Sequence, residues 1–283
     1  MNLGFSFPNL TVLNLPNNLL VGPIPSSIGL SNQLIYLDLE QNMLTSTIPP
    51  ILGYLENLLL FNLYSNKLTG SIPSSVCHLR RAVSFAVYRN KLTGSLPSCL
   101  GSLLNMTQFQ THSNRISGRL PSSIGEMLAL EVLMIHDNLM TGLLPSSLSK
   151  LKNLRNLNVG FNSFEGFIEQ VMWTNLNQLK RLLIDNNFFS GTFDLNPLGL
   201  VGVLTNLSLI DCSHNAFDGY VAASSFNLPS LVSFSAVANC FKGRLPMEIC
   251  NSTLLQTLAL DGLTSGAKCL FIFLIIFISA FDF

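Results

Sequence analysis

Four ring-bearing residues with polar edges, Tyr64, Tyr88, His112 and His136, recur at a constant interval of 24 residues. Phenol and imidazole edges give and take hydrogen bonds while the rings supply apolar area, a combination suited to recognition surfaces. The chemistry they offer is binding. Aromatic residues also pack cross-strand without any ligand, so the same column admits a purely structural reading. A metal site on His112 and His136 would have two imidazoles with no carboxylate or thiolate between them, which is a small ligand set. Ser213-His214-Asn215 holds nucleophile and base types side by side, but it occupies a turn position repeated along the chain. No Gly-X-Ser-X-Gly elbow, His-Glu-X-X-His pair or phosphate-binding loop is present. Catalysis has no residues to rest on, and no cofactor or metal is expected.

The interval of 24 belongs to a repeat. Asn18, Asn42, Asn66, Asn90, Asn114, Asn138 and Asn162 follow at 24-residue steps, then Asn187 after 25, Asn215 after 28 and Asn239 after 24. One frame surrounds each of these asparagines. In the third unit it reads Leu58, Phe61, Leu63, Asn66, Leu68, Gly70, Ile72, Pro73, and in the first Leu10, Leu13, Leu15, Asn18, Leu20, Gly22, Ile24, Pro25. An eleventh frame starts with Leu255, Leu258 and Leu260 but carries Leu263 in place of asparagine. Residues 10–263 thus form an array of ten repeats plus one degenerate unit. Residues 1–9 read as the remnant of a preceding repeat.

Each part of the frame has a physical task. L-x-x-L-x-L alternates inward and outward side chains, the period of a short strand with one buried face. Stacked units then form a parallel sheet with equivalent residues in columns about 4.8 Å apart. The asparagine lies where the chain leaves the strand, and its amide can pair turn backbone groups that would otherwise be buried alone. Glycine permits the following bend, and proline opens a short helical turn on the convex side. In units seven to nine the Ile-Pro element is replaced by Phe167-Ile168-Glu169, Thr192-Phe193-Asp194 and Tyr220-Val221-Ala222. An irregular convex side is expected there.

The frame L-x-x-L-x-L-x-x-N-x-L-x-G-x-I/L-P resembles the plant-type leucine-rich repeat. That repeat occurs in the ectodomains of receptor-like kinases and receptor-like proteins, and in polygalacturonase-inhibiting proteins. The resemblance implies an α/β solenoid, a right-handed superhelical horseshoe with a parallel concave β-sheet. It also implies a non-catalytic cell-surface or secreted scaffold that binds a peptide, glycan or protein on its inner face. A receptor-like protein or receptor ectodomain fragment is the leading expectation, and a soluble inhibitor of an extracellular enzyme the alternative. The kinase signatures H-R-D, D-F-G and G-x-G-x-x-G are absent from these residues.

On such a scaffold specificity rests with outward strand positions. Beside the ring column runs a second one, Asn14, Asp38, Asn62, Ala86, Gln110, Met134 and Asn158, mostly small or amide-bearing, with room for a ligand.

Bulk composition agrees. Lys plus Arg and Asp plus Glu are both 15, so no net field draws the chain to nucleic acid. An apolar fraction of 48% against 11% charged excludes disorder and suits a large elongated core. Sequons at Asn9, Asn105, Asn206 and Asn251 are acceptors for N-glycosylation in a secreted chain. No signal peptide is visible in the first residues. Among six cysteines, Cys250 and Cys269 flank the last unit as a candidate disulfide with Cys240 competing, and Cys77 and Cys99 fall in adjacent convex stretches, bridged or free. The segment 264–283 is a hydrophobic tail. Its thirteen apolar or small residues at 269–281 would extend about 20 Å as a helix, short of a roughly 30 Å hydrocarbon core. Membrane association through this tail is an expectation, a full span is not.

Overall fold

The computed structural model describes residues 7–195, 203–261 and 263, without the side chains of residues 170 and 171. Contacts divide the chain into two compact units, with the division between Thr141 and Gly142. Both have the leucine-rich repeat fold.

In the first unit six short parallel strands stand side by side: Val12–Asn14, Tyr36–Asp38, Leu60–Asn62, Ser84–Ala86, Gln108–Gln110 and Val132–Met134. Each pairs with the next in one register, so that Asn14, Asp38, Asn62, Ala86, Gln110 and Met134 form a single file. The middle residue of each strand from Leu37 to Leu133 points inward and is buried. Phe61, Phe85 and Phe109 stack there with ring centroids 5.0 and 5.3 Å apart. Opposite the strands lie single 3-10 turns at Ser26–Leu30, Pro50–Tyr54, Ser74–His78, Leu100–Ser102 and Ser122–Glu126. In all but the Leu100–Ser102 turn, the consensus proline stands one residue before the helical stretch, where its carbonyl accepts the first turn bond, as in Ile28 N–H to Pro25 O at 3.2 Å.

The second unit repeats the plan with parallel strands Asn156–Asn158, Arg181–Leu183, Leu209–Asp211, Ser233–Ser235 and Thr257–Ala259. Its core carries a file of phenylalanines, Phe164, Phe189, Phe217 and Phe241, stacked at 6.2, 6.1 and 6.4 Å. The irregular convex side expected where Ile-Pro is lost falls in part on residues 196–202, which lie outside the described ones. Ahead of each replaced Ile-Pro position the chain forms a secondary strand, at Ser163–Phe167, Phe188–Gly191 and Ala216–Gly219, and these pair in parallel. The glycine bend survives in all three, with φ of 77°, 77° and 80° at Gly166, Gly191 and Gly219. Aromatic residues beside those glycines favour extended backbone.

The asparagine series joins coil to coil. Asn90 donates from Nδ2 to the carbonyls of Val87 (3.1 Å) and Tyr88 (3.3 Å) in its own turn and of Leu63 (3.0 Å) in the preceding coil. Its Oδ1 accepts the N–H of Leu68 at 2.9 Å. The same set recurs at Asn42, Asn66, Asn114 and Asn138 in the first unit and at Asn187, Asn215 and Asn239 in the second. Asn162 caps its own turn through the carbonyls of Val159 and Gly160, both at 3.1 Å. Asn18 differs because no coil before it is among the described residues. It is exposed and donates to Pro16 O alone at 2.9 Å.

The Cys77 and Cys99 sulfurs are bonded, tying the convex stretches of two adjacent coils. Cys212 fills a core position as a free, buried thiol and Cys240 is a free, exposed one. The candidate pairing of Cys250 with Cys269 involves a residue outside the described ones, as does the tail at 264–283. Among the described residues no helix is long and apolar enough to cross a membrane.

These bonds predict a contrast between chemically identical substitutions. Asn90→Ala leaves several buried backbone groups unpaired at about 1–3 kcal/mol each, so a loss on the order of 3 kcal/mol is expected. Asn18→Ala, at an exposed site, should shift stability by less than about 1 kcal/mol. Urea denaturation of both variants measures the difference, and equal losses would show that the amide network is not what the coils depend on.

Candidate functional site

The strand geometry brings Tyr64, Tyr88, His112 and His136 together. Each follows the last inward residue of its strand frame, and the next residue turns the chain with a left-handed backbone: Ser65, Arg89, Ser113 and Asp137 have φ of 52°, 52°, 53° and 53°. That turn fixes where the ring side chain leaves the backbone. It is held from coil to coil, because Ser65, Arg89 and Ser113 donate their N–H to the carbonyls of Tyr88, His112 and His136 at 2.9, 3.0 and 3.0 Å. Non-glycine residues enter this region at some steric cost. The sequence frame contains no mark of this column, since its side chains vary freely from Gln41 to Asp137.

The four rings form one continuous stack. Centroids of Tyr64 and Tyr88 lie 4.2 Å apart at 8°, Tyr88 and His112 4.3 Å at 16°, and His112 and His136 4.2 Å at 11°. The rings cover one another's faces and remain half-buried, so solvent meets them at their edges, except at the buried His136 Nδ1. Those edges carry two phenol oxygens and the imidazole nitrogens. Tyr64 Oη accepts from Gln41 Nε2 at 3.3 Å, and His112 Nδ1 lies 3.3 Å from Ser113 Oγ.

Burial, and then the neighbouring Tyr64 and Glu40, push the Tyr88 phenol up to about 12, so it stays protonated as a donor. Burial also lowers His112 to about 4, with His136 and Arg89 adding repulsion and Asp137 opposing it. Parallel stacked imidazoles keep their lone pairs in parallel planes, a poor arrangement for sharing one ion. No group of three or more His, Cys, Asp or Glu able to hold a metal occurs among the described residues.

At one end of the stack lies a polar cluster that sequence reading treated only as room for a ligand. Asn62 donates from Nδ2 to Glu40 Oε2 at 2.5 Å, and Asp38 takes a bond from Glu40 N–H at 3.1 Å. Burial raises the Asp38 carboxyl, and the Glu40 charge raises it further against the hydrogen bonds from Glu40 N–H and Asn62.

The Ser213-His214-Asn215 run is not assembled for chemistry. Ser213 Oγ sits 2.7 Å from Ser235 Oγ, His214 takes the left-handed turn position and Asn215 belongs to the asparagine series. Asn9, Asn105, Asn206 and Asn251 are all exposed. Asn105 and Asn206 share a second asparagine role, with Asn57, that the sequence reading missed. Each stands just before the first apolar residue of its frame and donates from Nδ2 to a carbonyl of the preceding coil, of Asn32 (2.9 Å), Arg80 (2.8 Å) and Asn177 (2.7 Å) for Asn57, Asn105 and Asn206 respectively. Asparagine recurring before that residue was the available signal.

A family model described as a leucine-rich repeat region matches residues 1–211, and the chain belongs to the leucine-rich repeat family. Receptor like protein 24 of Arabidopsis thaliana is 33% identical over 99 residues, which are 35% of this chain and 10% of that protein. Among solved structures, the plant peptide hormone receptor RGFR1 in complex with RGF2 superposes with a TM-score of 0.85 at 30% identity, covering 91% of this chain and 40% of that one. The ectodomain of the Arabidopsis receptor kinase HAESA, in complex with an extended IDA peptide hormone ligand, gives a TM-score of 0.82 at 30% identity, covering 91% and 43%. The chain therefore spans less than half the length of these relatives.

The lowered His112 pKa has a sign that can be measured. Between about pH 6.5 and pH 4 the unfolded chain holds a proton on this imidazole that the folded chain does not, so the unfolded state is favoured as pH falls. Stability contributed by neutral His112 is thus complete above about pH 6.5 and is lost on acidification through about pH 4. His112→Gln should flatten the part of the stability–pH curve in that window. An unchanged slope would mean the stack does not depress this imidazole.

Proposed function

We propose that the chain is a non-catalytic, cell-surface receptor-like scaffold whose ring column in the first unit is the contact surface for a peptide ligand. The observation that carries this is the unbroken stack of Tyr64, Tyr88, His112 and His136 at outward, half-buried positions of four adjacent coils. Because the faces are already occupied, a ligand meets a row of polar edges at the coil spacing, a pattern that pairs with the alternating donors and acceptors of an extended backbone. Rigid rings add contact area at little entropic loss. Peptide-hormone complexes among the structural relatives support the same class of ligand. The relative described as a receptor like protein supports a cell-surface setting.

Panning a displayed library of random linear peptides against the protein tests this. Substituting all four ring residues by Ala should weaken the selected peptides by at least tenfold, about 1.4 kcal/mol, while the thermal transition stays cooperative. Peptides that bind the substituted protein equally well would place the contact surface elsewhere.

A further inference from the structure

We propose that Asp38, Glu40 and Asn62, at the Tyr64 end of the ring column, form a subsite for an organic cation of the peptide ligand, an ammonium or a guanidinium. The inference rests on the peptide-binding reading above and adds the chemistry at one end of it. Asp38 and Asn62 are register partners on neighbouring parallel strands, and Glu40 and Tyr64 follow them two residues on. The side chains of three positions thus converge beside the first ring. Glu40 reaches across to Asn62 Nδ2 at 2.5 Å, and its charge is felt at Asp38 and as far as Tyr88.

Two features of this cluster call for a positive partner. No cation is among the groups that act on Asp38, so two carboxylates share a half-buried place with only amide donors to steady them. Asn62 is itself only 9% exposed, and its Oδ1 is buried with no hydrogen-bond partner. Native structures leave few such atoms unpaired. An ammonium or guanidinium supplies charged donors for both carboxylates. Preceding positions in the same columns hold the uncharged Asn14 and Pro16, which leave the approach free of competing charge. The Tyr64 phenol, held by Gln41 Nε2 at 3.3 Å, borders the place where the cation would sit.

The same displayed library provides the test, using three forms of the full chain: unaltered, Asp38→Asn with Glu40→Gln, and the four-ring alanine variant. Peptides selected by the unaltered chain should be enriched in Lys or Arg, or require a free amino terminus. The Asn/Gln variant should bind them at least about tenfold more weakly and with less sensitivity to salt. Replacing Lys or Arg by Gln and acetylating the amino terminus, separately, identify which cation is read. Selected peptides without a required cation, or with equal affinity for the Asn/Gln variant, overturn the subsite. If they still lose binding to the four-ring variant, the ring-column reading survives alone. Selection of no peptide at all overturns both.

Discussion

One primary amide holds this architecture together. A coil of 24 residues cannot bury its strand, bend and helical turn by itself, and the interior of its turn is crowded with backbone carbonyls and N–H groups. The repeat asparagine has two donors and an acceptor on a short stem, which is enough to satisfy its own turn, reach back to the preceding coil and receive one N–H from it. The residue giving that N–H, Leu68 for Asn90 or Phe164 for Asn187, also places its side chain in the core. Hydrogen bonding and apolar packing are therefore locked to the same residue pair. A shift of one coil against the next would break both at once.

From that constraint the outward positions inherit their order. Because backbone spacing is uniform, any residue type placed in successive coils at an outward position becomes a column, and rings become a stack. The spacing of 4.2 to 4.3 Å in the ring column is tighter than the strand separation of about 4.8 Å, so the rings lean to make contact. Scaffold and site share a cause. The inward phenylalanines at Phe61, Phe85 and Phe109 form a parallel stack for the same reason, inside instead of out.

The fold could be read almost entirely from Asn18 to Asn239 and the leucines around them, because each repeat states the same local rule and errors do not accumulate. The ring column was readable too, since position in the frame fixes side-chain direction. Three features were not. The cluster of Asp38, Glu40 and Asn62 depends on which rotamers meet across two coils, and Asn62 looks like any other amide in its column until its neighbours are placed. The left-handed turn residues have no common side chain, so Arg89 and Ser113 hide a shared backbone conformation. The bond between Cys77 and Cys99 required the spatial adjacency of two convex stretches, which spacing alone left open.

Amide hydrogen exchange tests the central claim most directly. The N–H groups of Leu44, Leu68, Leu92 and Ile116 donate to the side-chain oxygens of Asn66, Asn90, Asn114 and Asn138, at 2.9 to 3.0 Å. If those amides fasten coil to coil, all four should exchange as slowly as the central strand amides, through unfolding of the unit as a whole. Exchange as fast as in exposed turns would contradict the account, because the coils would then be held by apolar packing without the asparagine link.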